Sequence, residues 1–293
     1  MGSLEAAGVG EAVRMSWQTS EAVADFLDQA GPFLRSRPVE NTVLLTLAET
    51  LKSQGPQAIG EGDPIFGWWT APGDRVEAAF LQTPPFPVLV SAAPADAIGA
   101  LPGALDGRSF PGFNALEADA DALAEKWESR TGRAATPGHR SRLFRLDRLT
   151  PPTPAPPGKA RVAGHADRAL LIDWLHVFHE EIGSPGRDVG KMVDDKLAHS
   201  GLLLWETDGH PVSLAGQTRP QSGMVRVIAV YTPREHRARG YAGAVTTAVT
   251  QAALDAGATD VVLFTDLSNP TSNALYQRLG YRPVEDRKVV EFG

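Results

Sequence analysis

The sequence predicts a mixed α/β protein of the α+β type, in which a mixed central sheet is flanked by helices and a second domain precedes it. Two observations predict this fold. Helix-like and strand-like patterns alternate along the whole chain, which is typical of a sheet covered by helices. Residues 150–160 contain five prolines and read as a semi-rigid linker, so the predicted domains are residues 1–149 and 161–293.

The composition narrows the function. With 293 residues, 42% of them hydrophobic, the chain is long enough for two cores. A net charge of -7 argues against nucleic acid as a partner. The absence of cysteine and of HExxH spacing predicts no metal site. No apolar run or signal peptide is evident, so we expect a cytoplasmic protein, and the Ala-, Gly-, Pro- and Arg-rich composition suggests a bacterial one.

The N-terminal part begins with helical patterns and continues with strands. Ser20 is a suitable cap for residues 21–30, and Asn41 precedes a run with leucines at helical spacing. Three strand-like runs follow, separated by Gly and Pro: residues 64–71, 76–83 and 86–93. Two further runs have a helical pattern: residues 94–105 and 113–132.

The C-terminal part repeats this order more clearly. Residues 201–218 read as a hairpin around Asp208 and Gly209. Residues 224–232 are apolar along their length, which indicates a central strand. The remaining predicted elements are helices at 165–183, 241–257 and 269–280 and strands at 260–265 and 288–292.

The junction at residues 231–244 brings arginines and small residues together where a helix begins. The first turn of a helix leaves N–H groups without partners and carries partial positive charge, so it suits a phosphate. Gly240 and Ala242 would let the backbone approach such a group, and Arg237 and Arg239 would add charge. A solvated surface turn is the alternative explanation.

The spacing Arg237-x-x-Gly240-x-Ala242 resembles the pyrophosphate loop of the GNAT superfamily of acyl-CoA-dependent N-acetyltransferases. The segment NPTSNALYQRLGY, residues 269–281, is similar to the second part of the GNAT signature, with Tyr276 seven positions after Asn269. The resemblance covers roughly residues 159–293 and extends to bacterial GNAT proteins with an atypical N-terminal half. It implies a GNAT fold preceded by a degenerate GNAT-like domain.

The resemblance also implies a co-substrate and its site. Acetyl-CoA would lie between the strand that ends at Thr232 and the strand at 260–265, and a primary amine of a small molecule or peptide would accept the acetyl group. Tyr276 matches the position of the family's catalytic acid. The residues implied to bind acetyl-CoA are Val230, Tyr231, Thr232, Arg237, Ala238, Arg239, Gly240, Tyr241, Ala242, Gly243 and Asn269.

The general base is left open by the sequence. The candidates are His176, His179, Glu180 and Glu181 of the predicted helix at 165–183, together with Glu206. A solvated surface charge is the simpler explanation for each acid, and a helix-surface or packed position for each histidine. Arg226 alternates with Ile228 and Val230 on one strand face and would hold an acidic substrate group or form a structural ion pair.

Two alternatives concern the protein as a whole. A non-catalytic acyl-CoA-binding or sensing protein would share the same motifs, and the chain is a possible homodimer. The N-terminal part lacks the arginines and glycine of the junction, and Asp96 would put a carboxylate where phosphate should lie, so we expect it to bind no CoA.

Overall fold

The computed structural model describes residues 15–183 and 188–293. The chain divides into two compact units. The first contains the residues up to Ser36, together with Ala48–Pro137 and Val290–Gly293, and the second contains Arg37–Leu47 and Gly138–Val289. Three elements contribute residues to both units: α3 (Thr42–Gln54), β6 (Ala135–Leu146) and β12 (Tyr281–Phe292).

The first unit is built on a sheet with the strand order β1-β2-β3-β4-β5. Its pairs are antiparallel except for the parallel pair β4 and β5, which helix α4 connects. Asp96 lies in the first turn of α4. The elements are β1 (Ser16–Ser20), α1 (Val23–Gln29), α2 (Gly31–Ser36), α3 (Thr42–Gln54), β2 (Ile65–Ala71), β3 (Arg75–Gln82), β4 (Val88–Val90), α4 (Ala95–Ala104), β5 (Gly112–Leu116) and α5 (Glu117–Thr131).

The second unit has the strand order β12-β6-β11-β10-β9-β8-β7. The pairs among β6 to β11 are antiparallel except for the parallel pair β10 and β11, which helix α8 connects. The elements are β6 (Ala135–Leu146), β7 (Lys159–Val162), α6 (Arg168–Glu181), α7 (Val189–Ala198), β8 (Leu202–Thr207), β9 (His210–Gln217), β10 (Met224–Tyr231), α8 (Tyr241–Asp255), β11 (Asp260–Asp266), α9 (Pro270–Arg278) and β12 (Tyr281–Phe292).

Two apolar clusters in the second unit distinguish the two sides of β10. Val225 and Val227 pack with Val245 and Val249 of α8. Tyr231, beyond a bulge in β10, packs in a cluster with residues of α6 and α7. The fold class predicted from the sequence, a mixed sheet with flanking helices, is therefore confirmed. The assignment of the N-terminal half as a degenerate GNAT-like domain stays a prediction.

Several sequence-based details differ from the structure. The helix predicted at residues 113–132 begins too early. Residues 112–116 form a short, largely buried strand, and α5 begins at Glu117. Strands β1, β6 and β7 were not predicted; β6 contains Pro137, Gly138 and six polar or charged side chains, a composition typical of a loop.

The proline-rich segment lies within the second unit. The carbonyl oxygen of Pro157 accepts hydrogen bonds from Trp205 Nε1 at 3.0 Å and Thr207 Oγ1 at 3.1 Å. Residues 138–149, placed before the linker in the sequence-based division, also belong to this unit. The contacts thus divide the chain near residue 137 rather than at 150–160.

Candidate functional site

The strands β10 and β11 separate at the site that the sequence singled out. They pair in parallel only from Met224 to Val227 on β10 and from Asp260 to Leu263 on β11. Beyond this point β11 continues along β6 as far as Asp266. Strand β10 instead follows β9 and shifts register between Ile228 and Tyr231, where Ala229 has φ +51°. The pairing of the two strands therefore ends at Val227, and the backbone groups of β10 beyond it no longer pair with β11.

The loop after β10 presents a row of backbone N–H groups. Among the residues that the structure describes, no hydrogen-bond acceptor lies on the N–H groups of residues 238–243. No side chain caps α8, since its N-cap is Gly240. Positive φ angles at Ala238 (+59°) and Gly240 (+84°) turn successive peptide groups within this segment. Such a concave row at a helix N-terminus suits a phosphate or pyrophosphate.

Gly240 is required by its backbone conformation, and Gly243 is closely packed. The φ of +84° at Gly240 is strained for any residue with a side chain. A Cβ atom at Gly243 would lie 3.3 Å from Leu275 Cδ1 and 4.0 Å from Pro152 Cγ. A Cβ atom at Gly240 would lie 3.6 Å from Pro156 Cβ, so the proline-rich segment borders the row of N–H groups.

Glu181 lies beside this loop rather than alone on the helix surface. Its carboxylate accepts hydrogen bonds from Arg237 Nη2 at 2.7 Å and Arg234 Nε at 3.1 Å. Partial burial acts to raise the pKa of Glu181, but the bonds from the two arginines outweigh it and lower that pKa. A carboxylate with a lowered pKa is a poor proton acceptor, which disfavours Glu181 as a general base.

Arg237 and Arg239 have different environments. Arg237 Nε donates to the carbonyl oxygen of Thr232 at 2.8 Å, and the guanidinium lies 5.9 Å from the centre of the Tyr231 ring. With Glu181 as its other partner, Arg237 ties the end of β10 to the end of α6. Arg239 is exposed and has no ion-pair partner among the described residues, so its charge is available to a ligand.

The end of β10 is held by buried hydrogen bonds. Ser213 Oγ donates to the carbonyl oxygen of Tyr231 at 2.9 Å and lies 2.8 Å from Thr232 Oγ1. Both Tyr231 and Thr232 are buried, and the Tyr231 ring contacts the rings of Trp174 and Phe178. These contacts fix the direction of the backbone after Val230.

Tyr276 is a buried residue of α9. Its ring contacts those of Phe144 and Tyr281, with centroids 6.5 and 6.2 Å apart. Burial raises the pKa of Tyr276 to about 12. Its hydroxyl forms no hydrogen bond with any described residue. The phenol is therefore protonated at neutral pH, and its O–H has no acceptor among the described residues.

Asn269 and Asn273 organise the turn between β11 and α9. Asn269 Oδ1 accepts a hydrogen bond from the N–H of Ser272 at 3.0 Å, which caps α9 as the sequence suggests. Asn273 Nδ2 donates to the carbonyl oxygens of Asp266 and Asn269, both at 2.8 Å. The Asn269 side chain is exposed, and only its Oδ1 atom is engaged in capping α9.

Glu206 belongs to an ion-pair network at the edge of the sheet. Its carboxylate accepts a hydrogen bond from Arg161 Nε at 2.6 Å. Arg161 also donates to both oxygens of Asp167 at 2.6 and 2.7 Å. These bonds give Glu206 a structural role between β7 and β8. The sequence did not reveal Arg161 and Asp167 as its partners, because no local pattern links them.

The predicted cofactor residues lie at or after the ends of two neighbouring parallel strands, β10 and β11. The loop at 237–243 begins α8 directly beyond the bulge of β10, and Asn269 begins α9 directly after β11. Residues 15–183 and 188–293 contain no group of three or more His, Cys, Asp or Glu side chains that could hold a metal ion. None of the helices within those residues is long and apolar enough to cross a membrane.

Comparison with known proteins gives similarities in sequence and fold. Residues 169–281 match the sequence model of the acetyltransferase (GNAT) family. No curated protein matches the chain. The fold is similar to that of a GNAT-family acetyltransferase from Colwellia psychrerythraea, with a TM-score of 0.61 and 11% identity over 94% of this chain and 98% of that one.

Two further solved structures are similar over nearly the whole chain. A Drosophila protein has a TM-score of 0.65 and 14% identity, covering 95% of this chain and 98% of its own. A GCN5-related N-acetyltransferase from Sphaerobacter thermophilus has a TM-score of 0.56 and 16% identity, covering 94% and 95%. At these identities the shared property is the fold.

Proposed function

We propose that the chain transfers an acetyl group from acetyl-CoA to a primary amine in a ternary complex, because residues 169–281 match the sequence model of the acetyltransferase (GNAT) family. The observation that carries this proposal is the row of N–H groups at residues 238–243 directly beyond the separation of β10 and β11. A pyrophosphate joined to an extended thioester arm matches both features. The GNAT domain supports this assignment over other phosphate ligands.

The chain's own groups fit the parts of acetyl-CoA. The N–H groups of residues 238–243 and the Arg239 side chain would hold the pyrophosphate. Backbone groups of Val230 to Thr232, on the strand that leaves β11, would hold the pantetheine arm as an added strand. An N–H group at the bulge would polarise the thioester carbonyl, as in an oxyanion hole.

The reaction needs one proton removed and one supplied. The amine nitrogen bonds to the thioester carbon, the carbon–sulfur bond breaks, and the sulfur leaves with the electron pair. Tyr276, whose raised pKa of about 12 keeps its hydroxyl protonated, donates a hydrogen bond to that thiolate, and the thiolate then takes a proton from water. Since Glu181 and Glu206 are both held in ion pairs, we assign the removal of the amine proton to water.

One observation favours a second candidate function, the binding of an acyl-CoA without catalysis. Two of the carboxylates that the sequence offers as bases, Glu181 and Glu206, are engaged with arginines. A sensing protein would bind acetyl-CoA and release no CoA when amines are added. The retained donor at Tyr276 supports the enzyme.

Titration calorimetry with acetyl-CoA tests the phosphate-binding site. We expect saturable binding to the full chain, with ATP and desulfo-CoA as comparison ligands. Gly240→Asp should weaken binding of acetyl-CoA by at least about 100-fold, because it places a carboxylate and a strained backbone at the pyrophosphate site.

Gly257→Asp is the matched control at the other end of α8. Gly257 also has a positive φ, +89°, and a Cβ atom there would meet nothing within 4 Å. The two variants carry the same charge and a similar strain. Equal affinities for acetyl-CoA in the two variants would remove the phosphate-site assignment.

A further inference from the structure

A group of charged side chains lies at the C-terminal end of α7, on the second unit's sheet. It consists of Asp195 and Lys196 of α7, Arg219 after β9, and Arg226 of β10, and we call it the Lys196 cluster. Asp195 Oδ1 accepts a hydrogen bond from Arg219 Nη1 at 2.7 Å. Lys196 Nζ lies 3.9 Å from Asp195 Oδ2. The cluster thus combines three cationic side chains with the carboxylate of Asp195.

Lys196 is held in an unfavourable position for a cation. Its side chain is only 14% exposed. Burial lowers its pKa to about 8; the charge of Asp195 opposes this, whereas the charges of Arg226 and Arg219 add to it. Among the described residues, Asp195 is the group whose negative charge raises the pKa of Lys196. The same carboxylate also accepts the hydrogen bond from Arg219. An anion bound here would relieve the desolvation of Lys196.

The cluster lies on the side of β10 opposite to α8. Val225 and Val227 pack against α8, and side chains alternate along a strand, so Arg226 and Ile228 face the other side. Helices α6 and α7 cover that side through the cluster that includes Tyr231. Ile228 is the first residue of β10 beyond the separation from β11, and Arg226 precedes it by about 7 Å along the strand.

We propose that this side of β10 binds an acceptor amine that also carries a carboxylate, with the carboxylate held by Lys196 and Arg226. The assignment rests on the proposed acetyl transfer and deepens it by naming the acceptor class. Arg226 lies two residues before Ile228, where the strands have separated, so a carboxylate held by Arg226 suits a short acceptor such as an amino acid or dipeptide. A planar guanidinium beside an ammonium is a suitable pair for a carboxylate.

Matched acceptors test the proposal on the unmodified chain. CoA release is measured with glycine, β-alanine, 4-aminobutyrate and glycylglycine, each beside its carboxamide, and with spermidine as an acceptor without a carboxylate. We expect kcat/KM to be at least tenfold higher for one or more of the carboxylates than for its carboxamide. Equal values, faster reaction of the carboxamides or of spermidine, or no reaction of any carboxylate would overturn the proposal.

Two variants locate the carboxylate site. Lys196→Met and Arg226→Gln should each raise KM for the preferred carboxylate at least tenfold, with little effect on KM for acetyl-CoA or on the reaction of the carboxamide. Lys191→Met, at an exposed position of the same helix, is the matched control. An unchanged KM for the carboxylate in both variants would overturn the assignment.

Calorimetry with acetyl-CoA distinguishes a failure of the proposed function from a failure of the acceptor class. Loss of acetyl-CoA binding in the unmodified chain would remove the proposed function and the acceptor class with it. Normal acetyl-CoA binding without a carboxylate preference would remove only the acceptor class. The comparison of acceptors uses the unmodified chain, so it decides the proposal even where a variant fails to fold.

Discussion

Glu181 connects the end of α6 to the loop that precedes α8. It accepts hydrogen bonds from Arg234 and Arg237, and Arg237 in turn holds the carbonyl of Thr232. The carboxylate therefore organises the two arginines instead of leaving them fully available to phosphate. Arg239 is then the arginine of the loop with the greatest freedom to bind a ligand.

Replacing Glu181 tests this role against that of a general base. Glu181→Gln should lower kcat by less than tenfold, whereas loss of a base typically costs about 100-fold or more. It should also lower the thermal stability by an amount on the order of 1 kcal/mol at pH 7, because two ion pairs are lost. Glu180→Gln, at the exposed neighbouring position, is the control.

The stability effect of Glu181 has a defined pH dependence. The pKa of Glu181 is lowered in the folded protein. Its contribution is therefore present above the unfolded-state pKa, about 4.3, and is lost as pH falls through the lower folded-state pKa. The difference in Tm between the unmodified chain and Glu181→Gln should disappear in that acidic range. A difference that persists there would contradict the ion-pair explanation.

Tyr276 is the proposed hydrogen-bond donor to the departing thiolate. Tyr276→Phe should leave the affinity for acetyl-CoA unchanged and lower kcat by roughly 100-fold, because the hydrogen bond to the departing thiolate is lost. The release of CoA in a stopped assay measures kcat, and calorimetry measures the affinity for acetyl-CoA. Tyr281→Phe is the control: its hydroxyl lies 2.6 Å from Thr250 Oγ1, so it should affect stability without a comparable loss of kcat.

Helix α7 carries a largely buried lysine, Lys196, at a cost in stability. The pKa of Lys196 falls from 10.5 to about 8 in the folded protein. Between these values the unfolded chain binds the additional proton, so stability rises with pH through this range. Below pH 8 both states are protonated and the full cost of burying the cation remains.

Lys196→Met should therefore stabilise the protein at pH 7, by about 2–3 kcal/mol from the size of the pKa shift. The gain should shrink as pH rises from 8 toward 10.5, where the folded-state amine of the unmodified chain is neutral. Thermal unfolding at pH 7 and pH 10 measures it, with Lys191→Met as the control. A loss of stability at pH 7 would show that Lys196 is paired rather than merely buried.

At the scale of the whole chain, each unit is assembled from separate segments. Val39, from the segment Arg37–Leu47, packs with Leu143 of β6, Met224 of β10 and Val262 of β11. Strand β6 also pairs with β11 over five residues. The second unit thus depends on residues from both before and after residue 137.

A fragment that begins at the sequence-based boundary should consequently fail. Residues 150–293 lack both Val39 and β6, which exposes the edge of β11 and part of its core. We expect this fragment to aggregate, while the full chain folds and binds acetyl-CoA. Circular dichroism, solubility and calorimetry measure the outcome. A soluble fragment with the full chain's affinity for acetyl-CoA would contradict this account.

Most helices and core strands could be predicted from local patterns, and the less regular strands could not. The caps Asn269 and Gly240, the turn at Asp208–Gly209 and the apolar run of β10 all have short-range signals. Strand β6 is recognised only through its pairing with β11, because its own composition resembles a loop. The bulge at Ala229 likewise depends on the register with β9.

The sequence by itself determined the mixed α/β class and the junction of β10 and α8, where arginines, glycines and alanines come together at residues 237–243. These properties depend on backbone conformations and helix ends that neighbouring residues control. Only the tertiary structure decided which groups lie beside Glu181, Glu206 and Lys196. Glu181 meets Arg237 across 56 positions of sequence. The charge state and partners of an ionisable side chain depend on the groups that folding brings near it in space, and no local pattern contains that information.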